Sequence, residues 1–170
     1  MLHMRPLSVI ARVVCNAFAW FMVVFGSYVI IHGHLTPGGG FQGGAVVATA
    51  LAFLVITHGG DFALPKIKKG LFISLEQAGL LLFICTGFVA LGTTFFYNFL
   101  AKQGGLFGSL VPLGANPGVL NSSGTIALMN MAVGFEVVGG LSLILFYMLH
   151  GIRQNLGTEE FGKEETGHDR

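Results

Sequence analysis

The chain has 170 residues, of which 53% are hydrophobic and only 10% charged, against roughly 25% charged in an ordinary soluble domain. With a mean hydropathy of +0.75, it holds too few polar residues to cover a water-facing surface, which excludes a soluble globular class. A net charge of +1 offers no basic field for nucleic acid, and two cysteines cannot staple a small secreted domain.

Charged residues cluster, and about 20 apolar residues in a helix suffice to cross a bilayer, so the gaps between clusters predict four spans. The first covers 13–31 and holds Trp20 and Tyr28. It is longer than the apolar region of a cleaved secretory signal, which favours a span. The second, 41–57, directly follows a glycine-rich run. The third, 71–100, carries one acid near its start, Glu76. The fourth, 125–149, is apolar apart from Asn130 and a central acid, Glu136. The expected fold is therefore an all-α, multi-pass protein of the cell membrane, with a four-helix domain over 1–153. The remaining 154–170 are polar and mostly acidic (Glu159, Glu160, Glu164, Glu165, Asp169). Such a composition is expected to give a disordered or partner-docked cytoplasmic tail.

Basic residues set the expected orientation, because cytoplasmic flanks hold more Lys and Arg. Four spans place both termini and the second connection on one side, with Arg5, Arg12, Lys66, Lys68, Lys69 and Arg153, against Lys102 alone on the other. Both termini are thus expected in the cytoplasm. The external connection over 101–123 is long and glycine-rich, with Pro112 and Pro117. Loops of that length usually serve function or meet a partner.

The first external connection reads His32-Gly33-His34-Leu35-Thr36-Pro37-Gly38-Gly39-Gly40-Phe41-Gln42-Gly43-Gly44. Pro37 holds Thr36 extended and the glycines admit geometries closed to other residues, so a tight re-entry into the membrane is expected. Gly40, Gly44, Ala48 and Ala52 recur every four residues and make a face small enough for another helix to approach at backbone distance. A phosphate cradle is disfavoured, since no Lys-Ser/Thr follows the glycines. His32 and His34 lack the further ligands of a zinc site. They either cap the first helix and bond the turn's backbone or serve as a proton entry.

A carboxylate at the centre of a span costs several kcal/mol unless it meets a partner, water or a proton. Glu136 is accordingly the leading ion-path candidate, with Asn130 as a nearby polar group; the alternative is a protonated glutamate bonding across helices. Glu76 either joins such a path or pairs with Lys68 and Lys69 at the interface. Cys15 and Cys85 stand apart from any CxxC or histidine cluster and read as packing residues. No nucleophile with a base, no metal-ligand set and no cofactor motif is evident, so no enzymatic activity, metal or cofactor is expected. One central acid in four helices is also too little for a complete transporter.

The run from His32 to Gly44 resembles the signature of the MnhB family, the B subunits of Mrp-type multisubunit sodium/proton antiporters. The segment from Asn121 through Asn130 to Glu136 is similar to the family's last helix. The resemblance implies a small hydrophobic subunit without catalysis of its own, assembled with larger antiporter-like subunits that carry the proton relays. Its partners would be those subunits, the bilayer, and sodium ions or protons. Related modules occur in membrane-bound hydrogenases and similar energy-converting complexes, which gives one alternative. A purely structural spacer between larger subunits gives another.

Overall fold

The computed structural model describes residues 6–60, 68–89, 94–111 and 119–167. Arg5, Lys66, Pro112 and Pro117 lie outside the described residues. Four α-helices account for most of the rest: α1 (Val9–Ile31), α2 (Gly39–His58), α3 (Lys69–Phe88) and α4 (Thr125–Gly167), with a 3-10 turn at Leu120–Ser122 before the last. All four are long and apolar enough to cross a membrane, the fourth over Thr125–Ile152. The chain is an all-helical, multi-pass membrane protein.

Local chemistry sets the helix ends. Ser8 caps α1, its Oγ accepting from the Ala11 N–H at 3.3 Å. Gly38 precedes α2 at φ 75° and Gly59 follows it at φ 82°, both positive-φ positions suited to glycine. Within the spans, Thr49 and Thr86 return their hydroxyls to the carbonyls of Ala45 and Leu82, at 2.8 and 2.7 Å. These two hydroxyls need no water inside the bilayer.

Two boundaries differ from the sequence expectation. The third apolar run, expected to reach Leu100, is helical only to Phe88. The chain then turns back: the Phe96 N–H bonds the Gly87 carbonyl at 3.2 Å, and the Phe96 ring covers Gly87. Aromatic residues as apolar as the helix itself make this turn, so hydropathy could not mark the end. The second difference is the tail, which continues α4 as helix to Gly167 instead of ending in coil. Past Ile152 it holds no proline, and Glu, Lys and Gln are good helix formers.

The helices pack in the order α1, α2, α4, α3, with a smaller α1–α4 contact where Ile30 meets Gly134. Neighbours approach at backbone distance through glycines. Between α1 and α2, a Cβ on Gly43 would lie 2.5 Å from the Gly26 carbonyl, and one on Gly26 would lie 2.8 Å from the Gly43 carbonyl. Between α2 and α4, Gly40 lies against the Asn130 carbonyl and Gly44 against Gly134 and Val137. The small face of α2 is therefore filled by this chain's own last helix, and the opposite glycine, Gly43, serves α1.

Candidate functional site

The α3–α4 contact holds both intramembrane acids. A Cβ on Gly79 would lie 2.6 Å from the Glu136 amide nitrogen and 2.6 Å from the Ala132 carbonyl. Across the same contact, a Cβ on Gly139 would lie 2.7 Å from the Glu76 amide nitrogen and 2.7 Å from the Phe72 carbonyl. The helices thus touch backbone to backbone beside each glutamate. The Glu76 carboxyl bends toward α4, with Oε1 3.4 Å from where a Gly140 Cβ would stand. Gly140 is one turn from Glu136 and so shares its helix face. Glu76 thereby lays its head on the strip of α4 that carries Glu136.

Among the described residues, neither carboxyl has a hydrogen bond or ion pair. Lys69, a candidate surface partner for Glu76, instead places Nζ 4.6 Å above the ring of Tyr147, a cation–π contact near the helix ends. Both glutamates are half-buried. The unpaired Glu76 carboxyl lies at the seam and Glu136 lines it with its backbone, and intramembrane acids of this kind usually serve proton or cation paths.

The other expected polar site residues gather nearer one end of the bundle, around the turn between α1 and α2. His32 bonds the Tyr28 carbonyl through Nδ1 at 3.0 Å, with its ring 4.0 Å from the tyrosine ring, so it caps the end of α1. His34 reaches the Val119 carbonyl through Nε2 at 3.3 Å and leaves Nδ1 buried without a partner. It ties the connection between α1 and α2 to the one between α3 and α4. Asn130 packs beneath the turn, its side-chain carbon 3.0 Å from where a Gly33 Cβ would stand. Gly39 is packed directly against Gly33, and the Gly39 N–H bonds the Thr36 carbonyl at 3.3 Å. Pro37, Gly38, Phe41 and Gln42 complete this turn with their outer surfaces exposed, while Ala48 is buried further along α2 and Ala52 half-buried. The histidines and Asn130 are thus one cluster and the glutamates another.

Two polar groups escape a reading of the sequence alone. Asn98 holds the start of α4: its Oδ1 accepts from the Thr125 N–H at 2.8 Å and its Nδ2 donates to the Ser123 carbonyl at 3.0 Å. Asn16, in the middle of an apolar run, has a buried Oδ1 without a partner. A lone amide in a span is a readable signal, and α1 displays one. Among the described residues no three His, Cys, Asp or Glu side chains converge as metal ligands would.

A family model described as a domain related to the MnhB subunit of Na+/H+ antiporter matches residues 10–143. The chain belongs to the MnhB family. The matched stretch runs from the first turn of α1 to Leu143 of α4, so both glutamates and the glycine turn fall within the MnhB region and the end of the helical tail falls outside it. An uncharacterised protein of Methanocaldococcus jannaschii is 35% identical over 129 residues, which is 75% of this chain and 47% of that protein. The B subunit of a Na(+)/H(+) antiporter from Alkalihalophilus pseudofirmus is 31% identical over 91 residues, 52% of this chain and 60% of that protein. The putative antiporter protein mnhB2 of Staphylococcus aureus is 25% identical over 148 residues, 87% of this chain and 99% of that protein. This MnhB chain thus spans only about half to three fifths of the first two relatives.

Proposed function

We propose that the chain is a small subunit of a multisubunit Na+/H+ antiporter of the cell membrane, and that Glu136 and Glu76 lend carboxyls to its cation or proton path. The carrying observation is the glycine-walled α3–α4 seam, where Glu76 and Glu136 stand on facing helices without a hydrogen bond or ion pair among the described residues. Charge held in a membrane without a partner is expensive, so a transported ion or proton is the natural counterpart. Both termini face the cytoplasm in this reading, following the basic residues. The glycine turn, with His32, His34 and Asn130, closes the external end.

Sodium-dependent proton flux in vesicles holding the whole complex tests the path. Glu136→Gln and Glu76→Gln are each expected to lower flux at least about tenfold, or about 1.4 kcal/mol in barrier, while the complex stays whole on native gels. Unchanged flux in an intact complex would remove the carboxyls from the path.

A spacer role is the second reading. It is supported by the exposed apolar flank of α1, where Val13, Val14, Phe21 and Val24 are 61–66% exposed, a surface that lipid or a neighbouring protein can cover. It predicts that the glutamine variants transport normally and that bulky residues on this flank release the chain from the complex. Identifying the proteins that co-purify with the chain separates a stand-alone antiporter from a hydrogenase-type assembly.

A further inference from the structure

A second polar feature lies away from the glutamates, on the α1–α2 side of the row. Beside α1 runs a groove of about 220 Å³ lined by Asn16, Ala19, Trp20, Val23 and Leu54. Its walls are apolar apart from Asn16, whose buried Oδ1 meets no donor. One helical turn toward the N-terminus, about 6 Å along the axis, Arg12 stands on the same face of α1. Its Nε is buried without a partner, and among the described residues its guanidinium has neither ion pair nor hydrogen bond.

These groups are stacked by depth. Arg12 lies in the first turn of α1, where the Leu7 N–H bonds the Thr57 carbonyl at the end of α2, so it sits at the membrane surface. Asn16 lies below it, and the apolar groove continues inward past Ala19 to Val23. Lys68 and Lys69, at the start of α3, share this side of the membrane. A cation at headgroup level above a narrow apolar groove is complementary to an anionic amphiphile. Basic pockets between membrane helices hold anionic phospholipids in this way.

We propose that the α1–α2 groove binds one anionic phospholipid, its phosphate on Arg12, its glycerol-ester region at Asn16, and an acyl chain along Ala19, Trp20, Val23 and Leu54. An unpaired guanidinium at the interface gains a counter-charge, and the Asn16 amide gains a polar neighbour inside the bilayer. Charge complementarity decides the occupant: a zwitterionic lipid supplies the same chain but no net negative charge for Arg12.

The chain's single tryptophan reports the site directly, because Trp20 lines the groove and is 72% exposed. The full chain is reconstituted in phosphatidylcholine vesicles, and quenching of Trp20 by acyl-brominated phosphatidylglycerol is compared with that by brominated phosphatidylcholine at equal mole fraction. The expected preference for the anionic lipid is about fivefold, the effect of one cation near an anionic headgroup. Arg12→Gln is expected to abolish the preference and Arg12→Lys to keep most of it, with helicity checked by circular dichroism. Val23→Phe fills the groove beneath an unchanged Arg12 and is expected to abolish it too. Equal quenching by both lipids in the wild type, or a preference that survives Arg12→Gln or Val23→Phe, would overturn the proposal. So would loss of the preference to inorganic phosphate at constant ionic strength, which would assign the site to a soluble anion. In the assembled complex, a fluorophore on Trp20→Cys that neither lipid reaches would assign the groove to a neighbouring protein and overturn the proposal as well.

Discussion

The two acids and the glycines opposite them behave as single units of a seam, and a one-carbon change tests the packing. Gly79→Ala pushes a Cβ against backbone atoms of Ala132 and Glu136, which have no rotamer to give. It is expected to cost about 1–3 kcal/mol in denaturation of the purified chain in detergent micelles. Gly70→Ala, also in α3 but with nothing within 4 Å, is the matched control. It is expected to be neutral or to add about 0.4–1 kcal/mol by stiffening the unfolded chain. Sequence alone makes Glu136 and Glu76 legible one at a time, because a carboxylate stands out in an apolar run. Their sharing of one seam was not legible, since it depends on how α3 and α4 are rotated about their axes. Gly79 and Gly139 set that rotation, and glycine has no side chain to show on a helical wheel which way it faces.

At the level of elements, apolarity locates the spans but not their ends or neighbours. α3 stops at Phe88 although Phe95 and Phe96 are as apolar as anything inside it, and α4 begins where a residue from that returning segment caps it. Asn98→Ala removes an acceptor from the Thr125 N–H and a donor to the Ser123 carbonyl. A loss of about 1–2 kcal/mol in chain stability is expected, with faster amide exchange confined to the first turn of α4. The stripe of small residues on α2 was legible as a packing face, while its partner was not. Gly44 meets Gly134 and Val137 of the same chain. Gly44→Leu is therefore expected to lower the melting temperature of the isolated chain by several degrees, at about 2–4 °C per kcal/mol for this size. A variant that melts normally alone and fails only in the complex would place the contact between subunits instead.

For the whole molecule, orientation is the property on which the functional reading depends most. With Cys15 and Cys85 replaced by alanine, a cysteine at Lys102 is expected to react with a membrane-impermeant maleimide added to intact cells. One at Lys68 is expected to react only after the membrane is opened. The reverse pattern would invert the molecule and move the histidine turn to the cytoplasmic side.

The order of the row has a consequence for how the chain is made. The main neighbours in space are α1 with α2, α2 with α4 and α4 with α3, with a smaller α1–α4 contact, so the first two helices can pair as soon as both have left the ribosome. The third cannot, because its glycine contact waits for a helix whose last membrane residue, Ile152, is synthesised roughly 60 residues after Phe88. At about 5–20 residues per second, Gly79 and Glu76 face lipid or insertion machinery for several seconds of synthesis. Biogenesis of this protein therefore contains a dwell during which an acid is held in the membrane by a helix not yet docked, and a nascent chain arrested before α4 is expected to show α1–α2 cross-links but none to α3.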